Sequence, residues 1–194
     1  MSADPGTRDL KLIQYLSEAY GKEKELETAL QAHIAMTTRQ SYKKRLQQHL
    51  RETKGHARAV ERRIKQLGGD ANALPAPVAE AAGAVASVAS KAVAAAKGPV
   101  HMLRGTGEQE RLLKNAKTEY SEEAEEIATY TAIESLAEAV GDRETAKVAR
   151  GIRRDEERMQ RFLERLIPQL TRAVARDEIP ASERDGGPGR RGRR

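Results

Sequence analysis

Along most of the chain, apolar positions recur at alternating steps of three and four, the period of a helix with one buried face. In the first such stretch Ile13, Leu16, Tyr20, Leu26, Leu30 and then His33 or Ile34 line one side. The spacing predicts a helix over about 8–36, capped by Thr7 or Asp9 after Asp4-Pro5-Gly6. A polar break at 37–41 predicts an antiparallel return. The second helix, about 39–67, turns Tyr42, Leu46, Val60 and Leu67 inward and stops at Gly68-Gly69, where glycine supplies the left-handed ending.

A third helix over about 108–140 has the stripe Leu113, Ala116, Tyr120, Ile127, Tyr130 and Ala137. A tight turn follows at Gly141-Asp142, with Asp142 as cap of a fourth helix over about 143–176. That helix carries Val148, Ile152, Met159, Leu163, Leu166 and Leu170 inward, and Pro168 is expected to kink or fray its last turns. Between the second and third helices, Pro75 and Pro77 form a linker and the alanine-rich residues 78–97 a short crossover helix. Residues 1–7 are an N-terminal extension, and residues 179–194 form an Arg/Gly-rich tail that cannot build a core and is predicted to be disordered. The reading is all-α: two antiparallel helical hairpins joined by a long, partly helical crossover, the ferritin-like form of the four-helix bundle, over 8–178.

Composition adds limits. The 194 residues suit one domain, and the absence of cysteine excludes disulfides, thiolate metal sites and thiol nucleophiles. No apolar run is long enough to span a bilayer and no basic apolar leader opens the chain, so the expectation is a cytoplasmic protein with no membrane partner. Half of the net charge of +6 sits in residues 183–194, five Arg against Glu183 and Asp185. Arg190, Arg191, Arg193 and Arg194 there suit weak binding of a polyanion or nucleic acid, as a helper function. The outer faces of the first two helices could pair two copies into a homodimer.

The candidate chemistry lies where charge breaks the stripes. Glu23 takes an apolar position in the first helix, Glu123 and Glu126 do so in the third, and Glu156 in the fourth. In the second helix His49, Glu52 and His56 fall within an arc of about 60° at roughly 100° per residue. Residues equally far from a hairpin turn sit at one height, so Glu23 comes level with Glu52, and Glu126 with Glu156. Such a layer of inward carboxylates would resist ionisation unless cations neutralised it. Two iron or manganese ions held by Glu23, His49, Glu52, His56, Glu123, Glu126 and Glu156 would do so, since carboxylate with imidazole suits these metals better than structural zinc. The alternative is a metal-free interaction or scaffold protein whose acids are neutralised by Arg45, Arg153 and Arg154. His33 reads as a boundary residue, and Tyr20, Tyr120 and Tyr130 as core packing.

Four segments carry a resemblance: 15–26, with Tyr20-Gly21-Lys22-Glu23; 49–56, His-Leu-Arg-Glu-Thr-Lys-Gly-His; 123–130, Glu-Ala-Glu-Glu-Ile-Ala-Thr-Tyr; and Ser135-Leu136-Ala137-Glu138, with Asp155-Glu156-Glu157 fitting the acidic cluster of the fourth helix. In these the chain resembles the YciE/YciF family of ferritin-like proteins. The resemblance implies a ferritin-like bundle, a di-metal site, a dimer and an association with bacterial stress responses. Stress-related oxygen, peroxide or iron handling would follow, with an oxidase- or peroxidase-type activity as the enzymatic form. The family's acidic positions fall on Glu23, Glu52, Glu123, Glu126 and Glu156. His56 departs from the family by standing where Gln is expected. The Glu-x-x-His pairs of di-iron bundles are missing, because residue 55 is Gly and residue 159 is Met.

Overall fold

The computed structural model describes residues 5–71 and 107–184. Four long helices, α1 Thr7–Met36, α2 Gln40–Gln66, α3 Glu108–Ala139 and α4 Arg143–Glu178, are followed by one short turn, α5 Ala181–Arg184. No strand occurs among the described residues, so the all-α class holds. The expected crossover helix at 78–97 and the arginines at 190–194 lie outside the described residues. Residues 181–184 are helical where the sequence predicts an unstructured tail.

Helix α1 packs on α2 and α3, α4 packs on α2 and α3, and the diagonal pairs do not meet. Directions follow from side-chain contacts. Arg63 pairs with Asp142 at 2.6 Å and Arg39 donates to Gln169 at 2.6 Å, so α2 and α4 are antiparallel. Lys22 pairs with Glu125 at 2.9 Å and Thr38 donates to Glu108, so α1 and α3 are antiparallel too. The end of α2 therefore lies beside the start of α4, while α3 begins beside the end of α1. The chain between them joins opposite ends of the bundle, as a ferritin-like crossover requires and a simple up-down-up-down bundle does not.

The turns are set by local chemistry. The Asp142 carboxylate accepts from the Thr145 amide at 3.0 Å, capping α4 as expected. Gly141 and Gly68 adopt φ of 74° and 87°, the left-handed region where a Cβ is costly. The cap of α1 is Gly6, which makes no side-chain bond, in place of Thr7 or Asp9. Pro168 does not end α4, which continues to Glu178. Its ring is on the exposed side, where the carbonyl left without a donor can turn to water.

Inward registers differ from the expected stripes by one position in places. Leu12 and Ala19 are buried in α1, with Ile13 and Tyr20 half-buried beside them. In α3 the buried line is Leu112, Ala116, Glu119, Glu123, Glu126, Tyr130, Ile133 and Ala137, stepping by four and three throughout. Leu113, Tyr120 and Ile127 form its flank. The apolar core is split into two clusters. One contains Leu12, Leu16, Val60, Ile64 and Ile133; the other contains Leu30, Tyr42, Leu46, Met159 and Leu163. Each buried Leu or Ile stabilises by about 1.5–3 kcal/mol. That gain must carry the polar layer lying between the clusters.

Candidate metal centre

The polar layer sits mid-helix on all four long helices. Helix α1 contributes Glu23, α2 His49, Thr53 and His56, α3 Glu119, Glu123 and Glu126, and α4 Glu156. Glu23, Glu119 and Glu156 are 0% exposed. Glu156 is the centre. His56 Nδ1 lies 2.8 Å from its Oε1, and Glu23 Oε1 lies 3.6 Å from the same ring nitrogen. On the other side His49 Nε2 lies 2.8 Å from Glu123 Oε1 and 3.7 Å from Glu156 Oε2. Two triads thus share one carboxylate: Glu23, His56 and Glu156, and His49, Glu123 and Glu156, each with donor atoms within 4.8 Å of one another.

The atoms facing this space lack ordinary partners. Glu23 Oε2, His56 Nδ1, Glu123 Oε2 and both oxygens of Glu156 are buried without a hydrogen bond. A buried polar atom left without a hydrogen bond is costly unless a proton or a cation satisfies it. No Lys or Arg among the described residues pairs with Glu23, Glu123, Glu126 or Glu156. The arginines expected to neutralise them are engaged or exposed: Arg45 holds Glu52 at 2.9 Å, Arg153 holds Glu134 and Glu157, and Arg154 faces outward. The residues present fit a pair of divalent cations, each offered imidazole and carboxylate, with Glu156 between them.

Electrostatics in the metal-free chain agree. Burial lifts the Glu23 carboxyl far above the carboxylate range, and Glu156 adds to this while His56 opposes it. Burial likewise lifts Glu123, against the pull of His49. Glu126 is raised by burial and then by Glu23, Glu156 and Glu123, which places it among the same acids. Burial disfavours the charged His56 ring, but Glu156 and Glu23 outweigh it and raise the ring to about 9. His49 is raised in the same way by Glu123 and Glu156. Glu156 is lowered despite burial, because both rings face it. Metal-free, the layer holds protons on Glu23, Glu123 and Glu126 and positive charge on its imidazoles, around an ionised Glu156.

Of the sequence candidates, Glu23, His49, His56, Glu123 and Glu156 meet, and Glu126 is buried beside them. Glu52 does not join them. Its side chain is 17% exposed at the rim, bonded by Arg45 at 2.9 Å and Gln48 at 2.9 Å. Burial pushes against ionisation, but His49 and Arg45 hold it down to about 2. The inward face of α2 runs through His49, Thr53 and His56, and Glu52 falls at its rim. Helix α2 therefore presents Thr53-x-x-His56 inward and α4 presents Glu156-x-x-Met159, so the two hold one Glu and one His where a di-iron bundle holds two of each. His49, one turn before Thr53, supplies the second imidazole.

Several supporting residues are not apparent from the stripes. Asp155 Oδ2 lies 3.1 Å from His56 Nε2 and so orients the ring with Nδ1 toward Glu156. Tyr130, expected as packing, donates to Glu23 Oε1 at 2.6 Å, while Oε2 is buried without a hydrogen bond. Glu119 is buried and contacts the ring of His33, which is half-buried at the boundary as expected. The available signal was the unbroken four-three step of α3 through three acids, hidden by the flanking Leu113, Tyr120 and Ile127.

A family described as a domain of unknown function (DUF892) matches residues 7–176. The chain belongs to this DUF892 family. Solved structures agree on the fold. A Xanthomonas campestris protein (XCC3681) is 24% identical with a TM-score of 0.67, covering 89% of this chain and 99% of that one. YcfI of Rhodopseudomonas palustris is 20% identical with a TM-score of 0.64, over 84% and 97% of the two chains. The E. coli stress protein YciF is 21% identical with a TM-score of 0.63, over 86% and 98%. The YciE/YciF resemblance of this DUF892 chain and its ferritin-like class therefore stand. No curated protein matches. Among the described residues no helix is long and apolar enough to cross a membrane.

Proposed function

We propose that this DUF892 protein binds two divalent metal ions, iron or manganese, in the polar layer. One ion would be held by Glu23, His56 and Glu156, the other by His49, Glu123 and Glu156, with Glu126 alongside. The observation that carries this reading is Glu156, buried between two Glu–His pairs with neither oxygen hydrogen-bonded. A redox-active metal bound there would supply one-electron chemistry toward oxygen or peroxide. The chain's own residues shape the site. Asp155 and Tyr130 fix one donor atom each, Glu52 with Arg45 keeps a negative charge beside the outer nitrogen of His49, and the two apolar clusters exclude bulk water. Handling of iron or peroxide under stress suits such a site, and the E. coli relative is described as a stress protein.

The experiment is metal content after anaerobic loading with Fe(II) or Mn(II) and removal of loose ions. Two ions per chain are expected, falling below one in Glu156→Gln, with circular dichroism showing the helices retained. Because both triads share Glu156, its loss should empty both positions, whereas Glu23→Gln should empty one. A wild-type chain that retains no metal at pH 8 refutes the reading.

A further inference from the structure

Charge is divided between the two sides of the bundle. Helices α2 and α4 together hold nineteen Lys and Arg against nine acids, while α1 and α3 hold seven against fourteen. The division is sharpest on the outer arcs. Within about 40° of the direction opposite the core, nine of the ten positions of α4 from Arg143 to Arg176 are Lys or Arg, Pro168 being the tenth. The same arc of α2 carries Lys44, Arg51, Arg58 and Arg62 and no acid. The corresponding arcs of α1 and α3 carry mainly small or neutral residues such as Gln14, Thr28, Ala128 and Ser135. Solubility does not require the concentration seen on the other two helices.

Most of these cations are unspent. Arg158 and Arg161 pair with Asp155 and Glu157. Lys147, Arg154 and Arg165 on α4, and Arg51, Arg58 and Arg62 on α2, make no ion pair among the described residues and are exposed. The two helices are adjacent and antiparallel. Between them runs an open trough of about 500 Å³ lined by Ala59, Val148, Gly151 and Ile152, with Glu144 and Asp155 as its acids. A Cβ on Gly55 or Gly151 would meet nothing within 4 Å, so the space is free.

We propose that the α2–α4 face binds the phosphate backbone of double-stranded nucleic acid. Charge complementarity selects the partner's class, and what the face lacks narrows it further. Its outer arcs contain no aromatic side chain, which single-strand binding by stacking requires. They contain no bulky apolar residue of the kind that inserts into a lipid interface. Helix α4, 36 residues long, spans about 54 Å, roughly one and a half duplex turns. The contact is sequence-independent and does not depend on metal in the core.

The test is fluorescence anisotropy of the full chain with a labelled duplex of about 20 base pairs, two helical turns, across a salt series. Saturable binding is expected, with log K falling linearly in log salt. Joint replacement Lys147→Gln, Arg154→Gln and Arg165→Gln should lower that slope by about 3 and weaken binding at least tenfold at low salt. Lys114→Gln with Lys117→Gln, on α3, should leave the slope unchanged. Joint replacement of Arg190, Arg191, Arg193 and Arg194 with Gln should retain most of it. The proposal is overturned if the duplex does not bind, if the α4 variant binds like wild type, or if only the tail variant loses binding. Capture by phosphatidylserine vesicles without duplex binding also overturns it.

Discussion

The metal-free bundle should lose stability as pH rises from 6.5 to 9, and bound metal should reverse that slope. The perturbation is pH alone, on a chelator-treated chain. His56 is raised from 6.5 to about 9 in the folded state. A group raised on folding contributes fully below its unfolded value and loses that contribution as pH climbs through its folded value. A rise of this size is worth roughly 3 kcal/mol, lost by about pH 9, or roughly 6–12 °C in Tm for a chain of this length. His49 has the same sign. Glu23 and Glu123, also raised, add to it, because the unfolded chain ionises them at a pH where the folded chain keeps them neutral. Glu156 is lowered and acts only below about 4.5, outside the window. Metal uptake displaces these protons, so affinity rises with pH. At a hundredfold excess over Kd each ion adds about 2.7 kcal/mol. The assay is thermal or urea unfolding followed by helical circular dichroism at pH 6.5, 8 and 9, with chelator or with Mn(II). A metal-free Tm that stays level or climbs across this range would refute the histidine–carboxylate account. So would a His56→Gln chain that keeps the full slope.

Other outcomes follow from single contacts. Leu163→Ala removes a side chain that is 0% exposed in one apolar cluster and should cost about 2–5 kcal/mol by urea midpoint, with metal content per folded chain unchanged. Asp142→Ala removes the α4 cap and the partner of Arg63, and should cost about 1–2 kcal/mol; Asp142→Asn should recover most of the cap but not the ion pair. In Glu119→Gln the His33 ring should titrate lower than in wild type by NMR, since contact with Glu119 is what offsets burial and raises it. An unmoved His33 titration would refute the Glu119 contact as the cause of the raised ring.

The three-four spacing, Gly68, Gly141 and Asp142 determined four helices and their turns, because local sterics and capping act within a few residues. Glu23, Glu123 and Glu156 announced themselves by taking apolar positions in otherwise regular stripes. The sequence could not decide between neighbouring registers, since an amphipathic face is wide and Ile13, Tyr20, Leu113, Tyr120 and Glu52 are plausible members at its edges. That choice depends on which edge of each helix meets its neighbours. Only assembly set Thr53 rather than Glu52 toward the core and buried Glu119 against His33, 86 residues away. Only assembly put Glu156 between two Glu–His pairs and gathered the cations of α2 and α4 on one side. A helix records its own period, but which helices become neighbours is settled by the bundle as a whole.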